Sequence, residues 1–342
     1  MKPVRILVTC CLGDYMRSTI KCYRNNPDNR DLFIVGCDMR QMDHNWVGVD
    51  KFYHTSPCNS DDYINELLLI CKIEKIDILI PCHTNELEKL ALSLDLFSSI
   101  GTKVAVADAS SLHLINDKIR SAAFLKYICV DMPKYIAVES SDMLGTLNDE
   151  SLFDYFPNGF VVKERHNCGG RGMRVYKEQN SFNADDIDYI RGIIATDGGI
   201  LIQEYLGGKE FTVDIISDHG DVLYAVCRHN ELMENGVARI STIVNDESII
   251  EICGFICKAT RYHGNIGFDI RCSDGKPFII DINPRLTATV SLAAAAGINL
   301  PYYGLKLDLG EEVPVDRELR YGTKIVRRIS DTFYDSEGNE IV

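Results

Sequence analysis

Two kinds of sequence feature that mark large classes of protein are missing from this chain of 342 residues. No cluster of Lys and Arg occurs and the formal net charge is -14, so we expect neither a nucleic-acid nor an anionic-membrane partner. No stretch reaches the roughly 18 apolar residues of a membrane-spanning helix, and the apolar run near the N-terminus is too short for a secretory signal. We therefore expect a cytoplasmic protein that acts on small molecules.

The 13 cysteines form no Cys-x-x-Cys pair. Cys253 and Cys257 stand four residues apart on a predicted helix, but no matching Cys or His pair with zinc-finger spacing follows. We interpret the cysteines as reduced, buried small hydrophobes. Examples within apolar elements are Cys37, Cys71, Cys129 and Cys227. Cys168 differs because its loop has other signs of function, and a catalytic role for it stays open.

Four near-continuous apolar runs alternate with segments of helical periodicity over the first hundred residues. Because strands of a parallel sheet are buried on both faces, these runs predict a parallel sheet with helical crossovers, as in a Rossmann-like unit. The first strand ends at Cys-Cys-Leu-Gly-Asp rather than Gly-x-Gly-x-x-Gly, which argues against a nicotinamide-dependent dehydrogenase. The predicted strands are 4–10, 32–37, 76–82 and 103–107, and the predicted helices are 14–25, 60–73 and 84–97.

The pattern changes after a predicted helix over 110–128, where Met132-Pro133 marks a break. Shorter strands and hairpins follow, which is typical of an antiparallel α+β domain. The sequence contains no internal repeat, low-complexity tract or long linker. The predicted strands here are 134–138, 159–164, 172–177, 200–204, 210–217 and 221–228, and the predicted helices are 247–262 and 289–296.

The most informative stretch is a predicted hairpin in which two alternating apolar and polar runs flank the Asp-Gly pair at 274–275. Folding about that turn places Asp269 opposite Asp281, with side chains about 5 Å apart. Asn283 and Arg285 share the face of Asp281, because side chains alternate along a strand. Two carboxylates and a carboxamide offer the oxygen ligands that Mg²⁺ prefers, and the arginine can bind phosphoryl oxygens. These residues predict a two-magnesium nucleotide site, with a solvated hairpin edge as the alternative.

A glycine-rich loop at Cys168-Gly-Gly-Arg-Gly172 joins two predicted strands. Glycine lets the backbone approach a ligand closely and leaves N–H groups free to bind phosphate oxygens. Lys163 precedes the loop and can reach the same phosphates as a point charge. The loop lacks the Gly-Lys-Ser/Thr ending of a P-loop. A flexible hairpin tip is the alternative interpretation.

A short connection follows the predicted strand that ends at Gln203-Glu204. Free backbone groups at such a connection in an apolar cleft suit the edge of a purine, and the Glu210 carboxylate suits the ribose hydroxyls. The connection itself begins at Tyr205 and Leu206. For Glu210 the alternative is a surface charge at the start of a strand.

The order of these motifs along the chain adds information that no single motif has. Asn116-Asp-Lys118 comes first, then Lys163 before the glycine-rich loop, then 203–214, then Asp281-Ile-Asn-Pro-Arg285. This order resembles the ATP-grasp superfamily, and more closely the carbamoyl-phosphate-synthase-like ATP-grasp proteins, over nearly the whole chain. The resemblance implies an α/β and α+β protein with a Rossmann-like pre-ATP-grasp domain and a two-subdomain ATP-grasp fold. The implied domains are 1–109 (pre-ATP-grasp), 110–310 (ATP-grasp, with a nucleotide-binding lid subdomain at about 133–206) and 311–342 (C-terminal strand extension).

The resemblance also implies cofactors and residue roles. ATP and two Mg²⁺ ions would bind, with Mn²⁺ as an alternative ion, and the loop over 168–172 would close on the phosphates as a mobile lid. The residues assigned to nucleotide binding are Lys118, Lys163, Cys168, Gly169, Gly170, Gly172, Gln203, Glu204, Tyr205, Leu206 and Glu210. The residues assigned to catalysis are Lys163, Arg171 and Arg285, and those assigned to the metal are Asp269, Asp281 and Asn283.

Two departures from the family pattern are visible. Asp269 and Asp281 stand where close relatives tend to have Gln and Glu, and the shorter side chain changes the reach at position 281. Arg171 stands in the lid where small polar residues are commoner, which adds a charge opposite the γ-phosphate.

The implied reaction joins a small-molecule carboxylate to an amine through an acyl phosphate. The alternatives are a kinase-type ATP-grasp protein and a nucleotide-binding subunit of a split carbamoyl-phosphate-synthase-like complex. Carbamoyl phosphate synthesis itself is disfavoured because that reaction uses two such halves. The candidates for contacting a substrate carboxylate are Arg228, His229, Arg239 and the segment 287–291. Oligomeric state stays open, with a homodimer as one option.

Overall fold

A computed structural model describes residues 3–42, 47–166, 172–234, 236–328, 331–335 and 340–341. These residues form three main sheets, one parallel and two antiparallel, and a separate short two-stranded ladder. The predicted combination of α/β and α+β architecture is confirmed. No helix in these ranges is long and apolar enough to cross a bilayer.

The first sheet is parallel, with strand order β3-β2-β1-β4-β5. Its central strands are mainly apolar because helices cover both faces, and Ile6, Leu7 and Val8 are fully buried, whereas the edge strand β3 has exposed polar ends. In chain order the elements are β1 (Val4–Val8), α1 (Met16–Arg24), β2 (Leu32–Asp38), β3 (Lys51–His54), α2 (Tyr63–Glu74), β4 (Ile78–Ile80), α3 (Leu87–Ala91), α4 (Leu94–Ser99) and β5 (Lys103–Val104).

The single helix predicted over 84–97 is wrong, because the chain there forms a 3₁₀ turn followed by α3 and α4. The buried Glu86 carboxylate accepts hydrogen bonds from the backbone N–H groups of Cys82 and His83, which fixes the turn. Between the two helices, the Ser93 hydroxyl donates to the Lys89 carbonyl. Such a bond competes with the helical backbone pattern and favours a break.

The helix predicted over 110–128 is likewise two helices, α5 (Ala109–Ile115) and α6 (Lys118–Tyr127). Asp117 separates them, because its carboxylate accepts hydrogen bonds from the N–H groups of Ile119 at 2.9 Å and Arg120 at 3.1 Å. Asp117 is therefore an N-cap. Lys118 becomes the first residue of a helix, where its position is fixed. Cys129, just beyond α6, is exposed, so its interpretation as a buried cysteine is wrong.

The second sheet is small and antiparallel, with order β6-β9-β7-β8. Its core is aromatic: Phe160 stacks on Tyr176 with ring centroids 4.9 Å apart, and Phe153 and Phe182 pack edge-on against Phe160. Among the described residues, this core comes only from the small sheet and the segments between its strands. The elements are β6 (Tyr135–Val138), α7 (Asp149–Tyr155), β7 (Phe160–Glu164), β8 (Arg174–Tyr176), α8 (Ala184–Asp197) and β9 (Ile200–Glu204).

The third sheet is the largest and runs β14-β13-β10-β11-β12-β15. One face of β13 buries Ile266, Phe268 and Ile270 against α9, so the alternate residues form a polar face. The elements are β10 (Lys209–Asp218), β11 (Asp221–Glu234), β12 (Val237–Ile243), α9 (Glu247–Thr260), β13 (Gly264–Ser273), β14 (Lys276–Asn283), α10 (Ser291–Ala295), α11 (Leu300–Leu309) and β15 (Lys324–Val326), followed by the ladder of β16 (Phe333–Tyr334) and β17 (Glu340–Ile341).

One apolar core joins the parallel sheet to the large sheet. Ile34 of β2, Ile216 and Val226 of the large sheet and Tyr302 and Tyr303 of α11 all belong to it. Polar contacts reinforce the junction, since the Asn299 side chain donates to the Cys22 carbonyl at 2.8 Å. The parallel sheet and the large sheet therefore form one packed body.

Candidate functional site

The β13–β14 hairpin has the register that the sequence predicts. Asp274 and Gly275 take positive φ values of 50° and 77°, as a two-residue hairpin turn requires. Asp269 is paired with Asp281, and a register shift follows between Asp269 and Ile270. The predicted pairing of the two carboxylates is confirmed.

The Asp269 carboxylate is held at a fixed position on the polar face of the large sheet. Thr212 Oγ1 donates to its Oδ1 at 2.8 Å, and Asn283 Nδ2 donates to its Oδ2 at 3.0 Å. Burial, together with the nearby carboxylates of Asp281 and Glu210, raises the pKa of Asp269 to about 7. Crowded carboxylates of this kind favour a bound cation.

Lys163 reaches this hairpin from the small sheet. Its Nζ donates to Gln203 Oε1 at 2.6 Å and to the Ile280 carbonyl at 2.8 Å. Burial lowers the pKa of Lys163 to about 8, and the Lys118 charge acts in the same direction while Asp281 opposes it. The structure therefore brings the two predicted phosphate-binding lysines and the predicted metal hairpin into one cleft between the two antiparallel sheets.

Asp117 supports the lysine side of the cleft. Its fully buried carboxylate binds Arg165 Nε at 2.6 Å, and the Lys118 N–H donates to the Arg165 carbonyl at 3.1 Å. Burial raises the pKa of Asp117, but the hydrogen bonds from His166 and Arg165 outweigh it, so the pKa lies below its usual range. Positions 118 and 163–165 are thus tied together beside the hairpin.

The predicted glycine-rich lid lies mostly outside the described residues. That part comprises Cys168, Gly169, Gly170 and Arg171. Gly172, the last residue of the motif, has a φ of +69°, and a Cβ there would lie 2.0 Å from Glu164 Oε1. Only glycine fits this position without displacing the Glu164 side chain.

His166 is the last described residue before that loop. Its contacts predict a pH-dependent contribution to the free energy of unfolding. Hydrogen bonds to Asp117 and Asp197 raise its pKa to about 9. Because the unfolded value is about 6.5, the stabilisation is complete below about pH 6.5 and is lost as the pH rises through about 9. The imidazole is 40% exposed, so the effect is modest, about 0.5–1 kcal/mol. We expect His166→Gln to lower Tm near pH 6 and to leave it unchanged near pH 10.

The control for this measurement is His113→Gln, which alters an exposed histidine on α5. A Tm difference between wild type and His166→Gln that stays constant across the titration would contradict the assigned contacts. Thermal unfolding followed by circular dichroism at several pH values gives the answer.

The predicted adenine connection follows β9. The N–H of Glu204 donates to the Lys134 carbonyl at 2.8 Å, and that of Tyr205 donates to the Gly159 carbonyl at 2.9 Å. Within the described ranges the Leu206 N–H makes no hydrogen bond. Leu206 is therefore the backbone donor at this connection that is suited to a purine edge.

Glu210 lies opposite Arg271 on the neighbouring strand, at the edge of the same cleft. Arg271 Nη2 donates to its Oε2 at 2.5 Å. The ion pair holds the carboxylate in place, and the other oxygen is the one suited to a ribose hydroxyl. Glu210 is thus neither isolated nor a freely rotating surface charge.

Arg285 follows the β13–β14 hairpin and contacts the 3₁₀ turn that comes after β4. Its Nε donates to Thr84 Oγ1 at 2.9 Å, and its Nη2 lies 3.4 Å from Asn283 Oδ1. No carboxylate in the described part of the chain forms an ion pair with this guanidinium. A positioned arginine without an acidic partner is suited to an anionic ligand.

The residues predicted to contact a substrate carboxylate lie in different surroundings. Arg228 is 4% exposed and binds Asp214 at 2.5 Å, so its charge is already paired. Arg239 forms an ion pair with Glu234 at 2.6 Å, and this pair is more exposed than the pair of Arg228 with Asp214. His229 lies on the opposite face of β11, beside Phe211 at a ring distance of 5.1 Å, so the prediction that it faces the cleft is wrong.

The segment 287–291 lies at the same end of the cleft. Thr287 Oγ1 donates to Asp214 Oδ1 at 2.6 Å, which adds a hydroxyl to the buried Arg228 pair. Its neighbours Ala288 and Thr289 contact a residue that the sequence reasoning did not single out.

That residue is Arg327, at the end of β15. Its N–H donates to the Arg239 carbonyl at 2.8 Å, which places the two arginines side by side on neighbouring strands. Its guanidinium lies 4.3 Å from the centre of the Tyr15 ring and donates to the Ala288 carbonyl at 2.6 Å. Burial lowers the pKa of Arg327, and no carboxylate of the described residues pairs with it. Sequence reasoning missed it because its position depends on strand pairing.

A second set of missed residues supports Asp269. Ser241 Oγ donates to Asn230 Oδ1 at 3.0 Å, Asn230 Nδ2 donates to Thr212 Oγ1 at 2.9 Å, and Thr212 donates to Asp269. The relay crosses four strands on one face. The alternation of Glu210, Thr212 and Asp214 along β10 was the available signal, since polar residues with period two mark a polar face.

Comparisons with known proteins agree with this geometry. Residues 197–330 match a family model described as ATP-grasp in the biosynthetic pathway with Ter operon, and residues 16–105 match the PylC-like N-terminal domain. The chain contains an ATP-grasp domain.

Curated relatives of this chain include carbamoyl phosphate synthase large chains. The chain from Thermoanaerobacter sp. is 26% identical over 238 residues, which cover 65% of this chain and 21% of that one. The chain from Agathobacter rectalis is 28% identical over 168 residues, which cover 45% of this chain and 15% of the other. The chain therefore spans about a fifth or less of the length of these relatives.

Solved structures share the ATP-grasp fold at low identity. N5-carboxyaminoimidazole synthetase from Staphylococcus aureus, complexed with ADP, has a TM-score of 0.67 at 15% identity and covers 93% of this chain and 81% of its own. A biotin carboxylase complex from Campylobacter jejuni has a TM-score of 0.70 at 15% identity, covering 93% and 74%. An L-amino acid ligase from Bacillus licheniformis has a TM-score of 0.64 at 12% identity, covering 90% and 75%.

Proposed function

We propose that this protein is an ATP-dependent carboxylate–amine ligase that forms an amide or peptide-like bond through an acyl phosphate. The observation that carries the proposal is that Lys163 reaches the hairpin that pairs Asp269 with Asp281, and that Arg285 lies beside Asn283 at the end of the same hairpin. The paired carboxylates, which suit a cation, therefore lie near two positive groups, Lys163 and Arg285. This arrangement suits the transfer of a phosphoryl group from a bound nucleotide.

The residues fit magnesium. Asp269 and Asp281 are paired carboxylates, burial and this crowding raise the pKa of Asp269, and the Asn283 carboxamide lies beside them. These three would hold Mg²⁺, which neutralises charge on phosphate oxygens when bound. The two Asp side chains supply hard oxygens although both are shorter than the residues common in close relatives.

The chain's own residues account for the remaining requirements. Lys118 and Lys163 would bind the nucleotide phosphates, the Leu206 N–H would bind the adenine edge and Glu210 the ribose. Arg285 would bind the oxygens of the phosphoryl group in transfer. Its bond to Thr84 holds it in place between the metal hairpin and the parallel sheet.

The two chemical steps balance without a side-chain nucleophile. A carboxylate oxygen of the substrate attacks the γ-phosphorus, the bond to the β,γ-bridging oxygen breaks, and ADP leaves with the electron pair. The amine nitrogen then attacks the acyl carbon, phosphate leaves with its electron pair, and the nitrogen loses a proton. Positioning and charge stabilisation are what the protein contributes.

Arg327 is the residue we assign to the anionic end of the acid substrate. It is partly buried beside the Tyr15 ring, contacts the 287–291 segment and has no carboxylate partner among the described residues. We expect Arg327→Gln to raise the KM for the acid about 10–100-fold and to leave the KM for ATP unchanged, because a charge-assisted hydrogen bond is lost. Arg327→Lys should recover part of the loss.

The matched control is Arg328→Gln, which removes an exposed arginine next in sequence. Initial rates at varied acid and varied ATP concentrations separate the two constants. Equal effects of Arg327→Gln on both KM values would mean that Arg327 supports the fold of the cleft rather than the substrate.

The test of the function measures ADP release from Mg-ATP with pooled carboxylates, each supplied with and without pooled amines. Asp281→Asn removes a metal ligand, whereas Asp274→Asn changes a carboxylate at the tip of the same hairpin, where asparagine tolerates the positive φ. A ligase releases ADP only when acid and amine are both present, and that activity is lost in Asp281→Asn and kept in Asp274→Asn.

Other results would replace the proposal. Sustained ADP release with a single acceptor would indicate an ATP-grasp kinase. Tight ATP binding without turnover in any pool would indicate a nucleotide-binding subunit that requires a partner, such as half of a split carbamoyl-phosphate-synthase-like complex.

A further inference from the structure

A cluster of metal-binding side chains lies at the end of the large sheet away from the nucleotide cleft. It consists of Asp218 and His219 in the β10–β11 turn and His263 just before β13. Six residues of extended strand, about 20 Å, separate Asp218 from Thr212 in the cleft. We propose that these three residues bind a first-row divalent transition-metal ion such as Zn²⁺, independently of the ligase site.

Strand pairing brings the three residues together. Asp218 pairs with Asp221 across the turn, and His219 takes a φ of 48° at its tip. Ser217 pairs with Gly264, so His263 lies beside Asp218 on the neighbouring strand. The convergence therefore follows from the sheet itself and not from a flexible segment.

The donor atoms are spaced for one ion. Asp218 Oδ1 lies 3.1 Å from His263 Nδ1 and 3.9 Å from His219 Nε2, and all three donors lie within 4.8 Å of one another. Donors bound at about 2.0–2.1 Å in a tetrahedral zinc site are about 3.3 Å apart. His219 is 58% exposed, so a small rotation of its side chain closes the remaining gap.

Asp308 of α11 provides a second, independent sign of a metal ligand. Its side chain is 8% exposed, and its Oδ1 lies 3.5 Å from His263 Nε2. A carboxylate on Nε2 holds the proton there and directs the Nδ1 lone pair toward the cluster, as outer carboxylates do for metal-binding histidines. Without a cation or an added proton, that lone pair would face the Asp218 carboxylate.

The electrostatics agree with this interpretation. The His263 imidazole lies between the carboxylates of Asp218 and Asp308, and both favour positive charge there. The imidazole rings of His219 and His263 stack with centroids 4.5 Å apart. A bound ion would supply the positive charge without adding protons to two stacked rings.

The donor set selects the kind of ion. Two imidazole nitrogens and one carboxylate oxygen suit Zn²⁺ or Co²⁺, whereas Mg²⁺ prefers oxygen ligands throughout. The ion would connect the β10–β11 turn to β13 and, through Asp308, to α11. Because α11 belongs to the core shared with the parallel sheet, binding should stabilise the whole body against unfolding.

The experiment titrates the full-length protein with Co²⁺ in excess Mg²⁺ and follows the visible absorption of the bound ion, with Zn²⁺ competition and equilibrium dialysis for stoichiometry. His219→Asn removes a ligand while asparagine tolerates the positive φ, and His263→Gln keeps a polar side chain of similar size. His54→Gln is the matched control, because His54 is an exposed histidine on β3.

One ion per chain is expected, bound through nitrogen and displaced by Zn²⁺, and retained in His54→Gln. Binding should be lost in His219→Asn and His263→Gln, and Asp308→Asn should weaken it about 10–100-fold. Wild-type protein should gain Tm with Zn²⁺, and the two histidine variants should not. Absence of binding at micromolar Co²⁺, or binding that survives both histidine substitutions, would overturn the proposal whether or not the protein proves to be a ligase.

Discussion

Replacing Asp269 with asparagine is expected to stabilise the ligand-free protein and to abolish its Mg²⁺-dependent nucleotide binding. The carboxylate is crowded by Asp281 and Glu210, and burial raises its pKa to about 7. Removing that charge should raise the free energy of unfolding by about 1–2 kcal/mol near pH 8, because a crowded buried charge costs stability. The gain is limited because the asparagine NH₂ group cannot accept the hydrogen bond that Asn283 now donates.

The same substitution removes a ligand for the cation, so affinity for Mg-ATP should fall by at least about 100-fold. Thermal unfolding with and without Mg-ATP measures both effects, and calorimetric titration confirms the affinity. Asp274→Asn on the same hairpin should change neither quantity. A variant that is less stable than wild type, or one that still binds Mg-ATP tightly, would contradict the assignment of Asp269 to the metal.

Replacing Arg285 with glutamine is expected to lower kcat by about 1,000-fold with little change in ATP affinity. The guanidinium has no acidic partner among the described residues and is held by Thr84 and Asn283. It would therefore meet the charge that develops on the phosphoryl oxygens during transfer, where arginines contribute about 10³–10⁵ in rate. Arg285→Lys should recover a small part of the activity, because lysine keeps the charge but loses the paired N–H groups.

Two comparisons separate chemistry from structure at Arg285. Thr84→Val removes the contact to the parallel sheet while keeping the guanidinium, and it should cost far less activity. Arg191→Gln changes an exposed arginine that pairs with Asp188 on α8, and it should be neutral. The measurement is the rate of ADP release with the substrate pair found in the pooled assay. If Arg285→Gln changed only the KM for ATP, Arg285 would bind ATP in the ground state rather than the phosphoryl group during its transfer.

Local patterns predicted the parts of the site that depend on short-range geometry. The Asp-Gly turn fixes the hairpin register within a few residues, so the pairing of Asp269 with Asp281 followed directly from the sequence. Four of the five strands of the parallel sheet were equally clear because buried strands are apolar runs, but the edge strand β3, with its exposed polar ends, was not predicted. The order of motifs then identified the ATP-grasp fold, which the family models and solved structures confirm.

Features that depend on side-chain contacts were missed. Periodicity continued through Asp117, and only its capping bonds show that one predicted helix is two. The β12 strand was not predicted, and its pairing with β11 is irregular between Asn230 and Met233. To predict the face on which His229 lies, the register of β11 with β10 must be known. To predict the position of Arg327, the pairing of β15 with β12 must be known. Local sequence patterns do not predict these long-range strand pairings.

The shared core has a consequence for how the molecule unfolds and how it can be divided. Because Ile34, Ile216 and Tyr302 contribute to one core, the parallel sheet and the large sheet should melt in one cooperative transition. The aromatic core of the small sheet is its own, so that subdomain can open or exchange amide hydrogens as a separate unit. A chain divided near residue 109 would separate residues that pack together in the shared core. The small sheet has its own core, so it is the unit that related proteins could exchange with least disruption.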